Sequence, residues 1–306
     1  AEDVPHIVTF LPLLKDCFEQ EQQVIVFKIA KRTLMLMLEA AKGPGPGPVM
    51  DAILKAKIIP ALVSRLSDPS VAIVQTCLSA IGMLADNSNI EHMMRLDATL
   101  LHITDMIEKA AGGLGNERIS IGAAQCLLKI CHESTQCVDM IADMNPEVFN
   151  ALVVIVNKAQ DTKNPCRDVV AVHAASVLMV ATKYISDLEI LDQIGIYILT
   201  FQIISVFYEN VEVVEVALSA LQRLLMNQHE AKSRQAVAEK SRTFSATNAW
   251  NIIVKLSEEY EASSDDTDDG EDCAYVGGRR WANSHTARRI LKNAVQNKLF
   301  ESLCKM

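Results

Sequence analysis

The sequence predicts an all-α fold, a right-handed α-solenoid of about six short helical repeats. Three observations carry this. Half of the 306 residues are hydrophobic but only 5% are aromatic, a Leu/Ile/Val/Ala/Met balance that suits helix-on-helix packing better than stacked sheets. Apolar residues recur at helical spacing in short blocks closed by Pro, Gly or Asp. The blocks themselves then return along the chain.

The clearest block is IPALVSRLSDPSVAIVQTCLSAIGML, Ile59 to Leu84. Pro60 fits the first turn of a helix, where no amide partner is lost. Leu62, Val63 and Leu66 form one apolar stripe. Asp68-Pro69-Ser70 stops that helix and caps the next. Val71, Val74, Leu78, Ile81 and Leu84 make a second stripe. Neither short helix can bury its face alone, so the unit needs neighbours.

In chain order, IAKRTLMLML (29–38), QTCLSAIGMLA (75–85), GAAQCLLKIC (122–131), HAASVLMVAT (173–182), VEVALSALQRLL (214–225) and HTARRILKNAV (285–295) fit one frame. Its aligned apolar positions are Leu34, Ile81, Leu127, Leu178, Leu221 and Leu291, spaced by 47, 46, 51, 43 and 70. The long interval holds an acidic stretch, and without about 27 residues there it too is near 43, so the period centres on the forties. That period belongs to two- or three-helix solenoid repeats.

The order of a short helix, IPALVSRL, an Asp-Pro turn and CLSAIGMLADNS resembles the armadillo repeat, with its Ile-Pro-x-Leu-Val-x-Leu second helix and Ala-Leu-x-x-Leu third helix. HEAT repeats have a similar period, but the short VMDAILKAK helix before Ile59 favours armadillo. The match is best over 50–89, less close over 90–135 and 196–226, and weaker elsewhere. One armadillo-repeat domain is expected over 1–306, with approximate repeats 1–42, 49–89, 90–135, 136–185, 186–228 and 229–306. KGPGPGPVM holds a Pro-Gly linker at 43–48. AAGGLGNE (110–117) is a turn and matches no phosphate-binding pattern.

The net charge is −9 and unevenly placed. Residues 257–275 carry nine carboxylates and no Lys or Arg, whereas 276–306 carry seven Lys/Arg against Glu301 alone. This is not the footprint of a nucleic-acid binder. The insert 258–284 is expected to be solvated and disordered. Within it, Ser263, Ser264, Asp265, Asp266, Asp268 and Asp269 are candidates for a regulatory loop. From Asp265 the stretch lacks the Glu that closes an EF-hand loop, because position twelve is Val276.

The eight cysteines are scattered, and the nearest cluster (Cys126, Cys131, His132, Cys137) has no C-x-x-C pair, so packing rather than a metal site is expected. No cofactor is implied. No G-x-S-x-G, H-E-x-x-H or Walker pattern occurs, and an enzyme is not expected. AEDVPHIVTF has no secretory-signal features, and no apolar run is long enough to span a bilayer. Ala1 in place of an initiator Met is taken as the mark of an excised piece. A cytoplasmic protein is expected, with the nucleus as a second compartment.

The resemblance implies that third helices line a concave groove for extended peptides. Importin-like members grip the peptide with a Trp and, four residues on, an Asn. Here the first column reads Arg32, Ser79, Gln125, Ser176, Ser219 and Arg289, and the second Leu36, Met83, Lys129, Val180, Arg223 and Asn293. With no Trp and one Asn, the chain looks closer to catenin-like members, whose basic grooves take acidic ligands. The groove candidates are Arg32, Ser79, Met83, Gln125, Lys129, Ser176, Arg223, Arg289 and Asn293. The function so implied is a non-enzymatic adaptor holding an acidic or amphipathic protein segment. The alternative is a structural segment of a cytoskeletal, trafficking or chaperone assembly, and an importin-like receptor ranks last.

Overall fold

At Asp68-Pro69-Ser70 the chain turns as its chemistry requires. Asp68 accepts the Ser70 backbone N–H at 2.8 Å and pairs with Arg65 at 2.7 Å. Arg65 also donates to the Glu19 carbonyl and lies over the Phe27 ring. Ser70 is the N-cap residue, yet its own side chain makes no capping bond. The aspartate two positions earlier holds the turn instead.

The computed structural model describes residues 9–20, 22–40, 48–85, 99–133, 135–160, 163–185, 188–226, 248–257 and 286–290. The helices, in order, are α1 Leu11–Gln20, α2 Val24–Ala40, α3 Pro48–Lys55, α4 Ile58–Ser64, α5 Val71–Leu84, α6 Thr99–Ala111, α7 Glu117–Glu133, α8 Thr135–Met144 and α9 Glu147–Gln160. They continue with α10 Val169–Tyr184, α11 Leu188–Gln193, α12 Ile196–Val206 and α13 Val211–Met226. Residues 248–257 and 286–290 are also helical, and no strand occurs among the described residues. None of the helices described is long and apolar enough to cross a membrane.

The chain divides into two compact units, Ala1–Ala151 and Leu152–Met306. In the first, α2, α5 and α7 pack in succession, with α1 against α2 and α4, and α6 against α7. Phe18 and Phe27 meet edge to face at 5.2 Å in this core. In the second unit α10 packs on α13, α12 on α13 and α11 on α12, and Phe201 meets Trp250 at 5.8 Å.

The aligned apolar column runs through both units. Leu34, Ile81, Leu127, Leu178 and Leu221 are each at most 1% exposed, while Leu291 lies outside the described residues. The long helices begin with side-chain caps where the sequence offers Asn or Asp. Asn116 Oδ1 accepts from Arg118 and Ile119, Asp168 from Ala171, and Asn210 from Val213. Each satisfies backbone N–H groups that a helix start leaves without a partner. Gly113, at φ 75°, ends α6 within the Gly-rich turn.

The turn between a short helix and the one after it shares a backbone conformation in both units. Lys57, between α3 and α4, has φ 58°, and Gly195, between α11 and α12, has φ 67°. The second position uses the residue for which this region carries no steric cost, and the first does not.

Candidate functional site

In the first unit, α2, α5 and α7 enclose a cleft of about 430 Å³. Lys28 and Lys31 reach it from α2, Ser79, Gly82 and Met83 from α5, and Gln125 and Lys129 from α7. Gln75, also lining it, donates to the Arg118 carbonyl at 3.1 Å and ties α5 to α7. The lining contains no Asp or Glu.

Gly82 faces α7 at ordinary packing distance. A Cβ there would touch Cys126 and the Lys129 stem at 3.6–3.7 Å. Across the same seam, a Cβ on Gly122 would come within 3.1 Å of Leu78. Gly122, more than Gly82, thus sets how closely α5 and α7 approach beside the Lys129 stem.

The cleft's electrostatics are one-sided. Among the described residues, Lys28, Lys31 and Lys129 take part in no ion pair. Partial burial lowers the pKa of Lys31, since desolvation disfavours the ammonium form. Cys126, also lining the cleft, is 3% exposed, and burial pushes its thiol up to about 12 despite the opposing pull of Lys129. Such a thiol is a packing group rather than a nucleophile. Cys77 behaves alike, at about 12. Among the described residues no three His, Cys, Asp or Glu converge as a metal site.

The expected groove residues fall into four groups. Ser79, Met83, Gln125 and Lys129 line this one cleft. Arg32 is exposed on α2 without lining it. In the second unit, Ser176 is 7% exposed and its hydroxyl donates to the Val172 carbonyl, because α10 is buried almost all round. Arg223 is half-buried and donates to the Thr182 and Ile185 carbonyls, whereas Arg289 is exposed. Asn293 and the acidic candidates Ser263, Ser264, Asp265, Asp266, Asp268 and Asp269 lie outside the described residues.

Lys28 and Lys31 escape a reading by columns, although a signal exists. Lys28, Gln75 and Ile121 stand one helical turn before Arg32, Ser79 and Gln125, and all three line the cleft. A groove wider than one turn therefore recruits a column that one residue per turn leaves out.

Helices stacked in this succession define an armadillo-type repeat fold, and solved structures agree. A designed armadillo repeat protein, YIII(Dq.V1)4CPAF, in complex with peptide (KR)4 matches with TM-score 0.62 and 16% identity, over 92% of this chain and 98% of that one. A second designed armadillo repeat protein, YIII(Dq)4CqI, matches with TM-score 0.60 and 16% identity, over 92% and 99%. So, at TM-score 0.60 and 16% identity over the same shares, does a computationally designed armadillo repeat protein for modular peptide recognition. At such identities the likeness establishes the all-α armadillo-type solenoid fold. No protein-family model and no curated protein matches the chain.

Proposed function

We propose that this protein is a non-enzymatic, cytoplasmic adaptor that holds an extended acidic segment of a partner protein in the α2–α5–α7 cleft. The observation that carries this is the lysine set of the cleft: Lys28, Lys31 and Lys129 converge where the lining offers no carboxylate. Ammonium groups brought together without counter-charges repel one another and favour an anionic occupant. The fold supports the same reading, since armadillo repeats in general serve as binding scaffolds and one similar designed protein is in complex with peptide (KR)4. That peptide is basic. This cleft has the opposite requirement, so its ligand carries Asp or Glu. Met83 and the Lys stems give apolar contact between the charges.

The test is fluorescence anisotropy with two labelled flexible peptides, one alternating Glu and Leu, the other (KR)4. The acidic peptide is expected to bind and the basic one not. Lys28→Glu with Lys129→Glu is expected to weaken the acidic peptide by roughly tenfold or more, as loss and reversal of close charge pairs does. Preference for (KR)4, or unchanged affinity in the folded double variant, overturns the proposal.

A further inference from the structure

Most exposed apolar side chains on a protein surface stand alone and mean nothing. On α2 they do not. Ile25 is 63% exposed, Ile29 59% and Leu36 49%. Steps of four and seven residues place all three on one side of a helix. The opposite side, Phe27, Ala30, Leu34 and Met37, is the buried one. α2 therefore has two apolar faces, one in the core and one open.

The open face is also charged in a particular way. Arg32 lies within the stripe, between Ile29 and Leu36, and is exposed; Lys28 borders it and lines the cleft. Among the described residues neither takes part in an ion pair. Glu39 is exposed on the same side, at the helix end. The stripe is thus continuous with the cleft through Lys28, and it presents apolar groups interrupted by cations.

From this we infer that the outer face of α2 docks an amphipathic, acidic helix of a partner protein. That helix carries Leu- or Ile-type side chains at successive turns against Ile25, Ile29 and Leu36. Its carboxylates face Lys28 and Arg32, and a basic residue can face Glu39. Recognition by apolar anchors at such spacing is the usual mode of helix binding to a helical surface. A second copy of this chain is the poorer occupant. Pairing two α2 stripes would bring Lys28 and Arg32 of both copies into one seam, like charge against like. The inference shares Lys28 with the cleft proposal but has its own apolar anchors, Ile25, Ile29 and Leu36, none of which lines the cleft.

The test uses the full chain and a fluorescein-labelled, hydrocarbon-stapled helical peptide. The peptide has Leu at i, i+4, i+7 and i+11 with Glu beside them. Saturable binding is expected. Ile25→Ser with Ile29→Ser, both at exposed positions, is expected to weaken it by about tenfold or more, and Arg32→Glu by several-fold. Lys129→Glu, which lines the cleft and lies outside the stripe, is expected to weaken the stapled peptide less than Arg32→Glu does. The flexible acidic peptide provides the contrast, responding to Lys129→Glu and not to the double serine variant. Circular dichroism checks that each variant keeps its helix content. Absence of saturable binding overturns the inference, as does equal affinity for the folded double variant. Sedimentation supplies a further arm: self-association abolished by the double variant assigns the stripe to a second copy and also overturns it.

Discussion

The guanidinium of Arg223 donates to the carbonyl oxygens of both Thr182 and Ile185, at 2.9 Å from the latter. It thereby joins α13 to the end of α10, where the last carbonyls of a helix have no partner within it. A planar fork reaching two acceptors suits this work better than an ammonium. Arg223→Met is expected to destabilise the protein by about 1.5–3 kcal/mol, the range for hydrogen bonds involving a charged group. Arg223→Lys is expected to recover only part of that. Urea denaturation measures both, and a variant as stable as wild type would remove Arg223 from the packing role.

Lys31 sits in the cleft at some cost to the folded state. Partial burial lowers its pKa below the ordinary 10.5, so charging it opposes folding wherever it is charged. The cost is fully present at pH values below the lowered pKa, and it is relieved as pH rises from there to 10.5. Lys31→Met is accordingly expected to be more stable than wild type near neutral pH, with the difference shrinking as pH climbs towards 10.5. Binding moves the other way. An anionic segment favours the ammonium form, so acidic-peptide affinity falls as pH rises through the lowered pKa, and Lys31→Met removes that part of the dependence. Melting curves and anisotropy titrations across this range read both effects.

How much of this is legible in the sequence depends on where the information resides. The apolar column is legible because burial repeats with the period of the helices, and Leu34 through Leu221 are buried at every described position. Part of the candidate cleft is legible for the same reason, since Ser79, Met83, Gln125 and Lys129 stand at fixed offsets from that column. Arg223 defeats such reasoning. Its partners are backbone carbonyls about forty residues earlier, and a carbonyl leaves no mark in the sequence. Ser176 defeats it differently, because a helix buried nearly all round has no polar face to index. At Lys57 the backbone adopts a conformation that the residue type argues against.

Two leucines give a controlled comparison of the repeat register. Leu221 is fully buried on α13, and Leu114 is 85% exposed in the turn before α7. The same substitution removes the same atoms from each. Leu221→Ala is expected to cost about 2–5 kcal/mol, from lost transfer energy plus the cavity left behind. Leu114→Ala is expected to stay within about 0.5 kcal/mol, as surface changes do. Chemical denaturation at equal slope separates the two, and a larger loss at Leu114 would contradict the register that places Leu221 in the core.

The paired left-handed turns set up opposite expectations for one change of residue. Lys57, at φ 58°, holds a conformation in which its Cβ crowds the following carbonyl, whereas Gly195, at φ 67°, has no Cβ to crowd. A Cβ built on Gly195 meets nothing within 4 Å, so space is not the constraint there and backbone strain alone decides. Lys57→Gly relieves the strain but gives the unfolded chain more freedom, and the balance favours the folded state by roughly 0.5–1 kcal/mol. Gly195→Ala introduces the strain, partly offset by the lower freedom of the unfolded chain, and is expected to cost roughly 0.5–1 kcal/mol. Thermal melts of the two single variants should therefore shift in opposite directions, Lys57→Gly upward and Gly195→Ala downward. A downward shift in both would mean that the Lys57 side chain contributes more to the α3–α4 turn than its backbone strain removes.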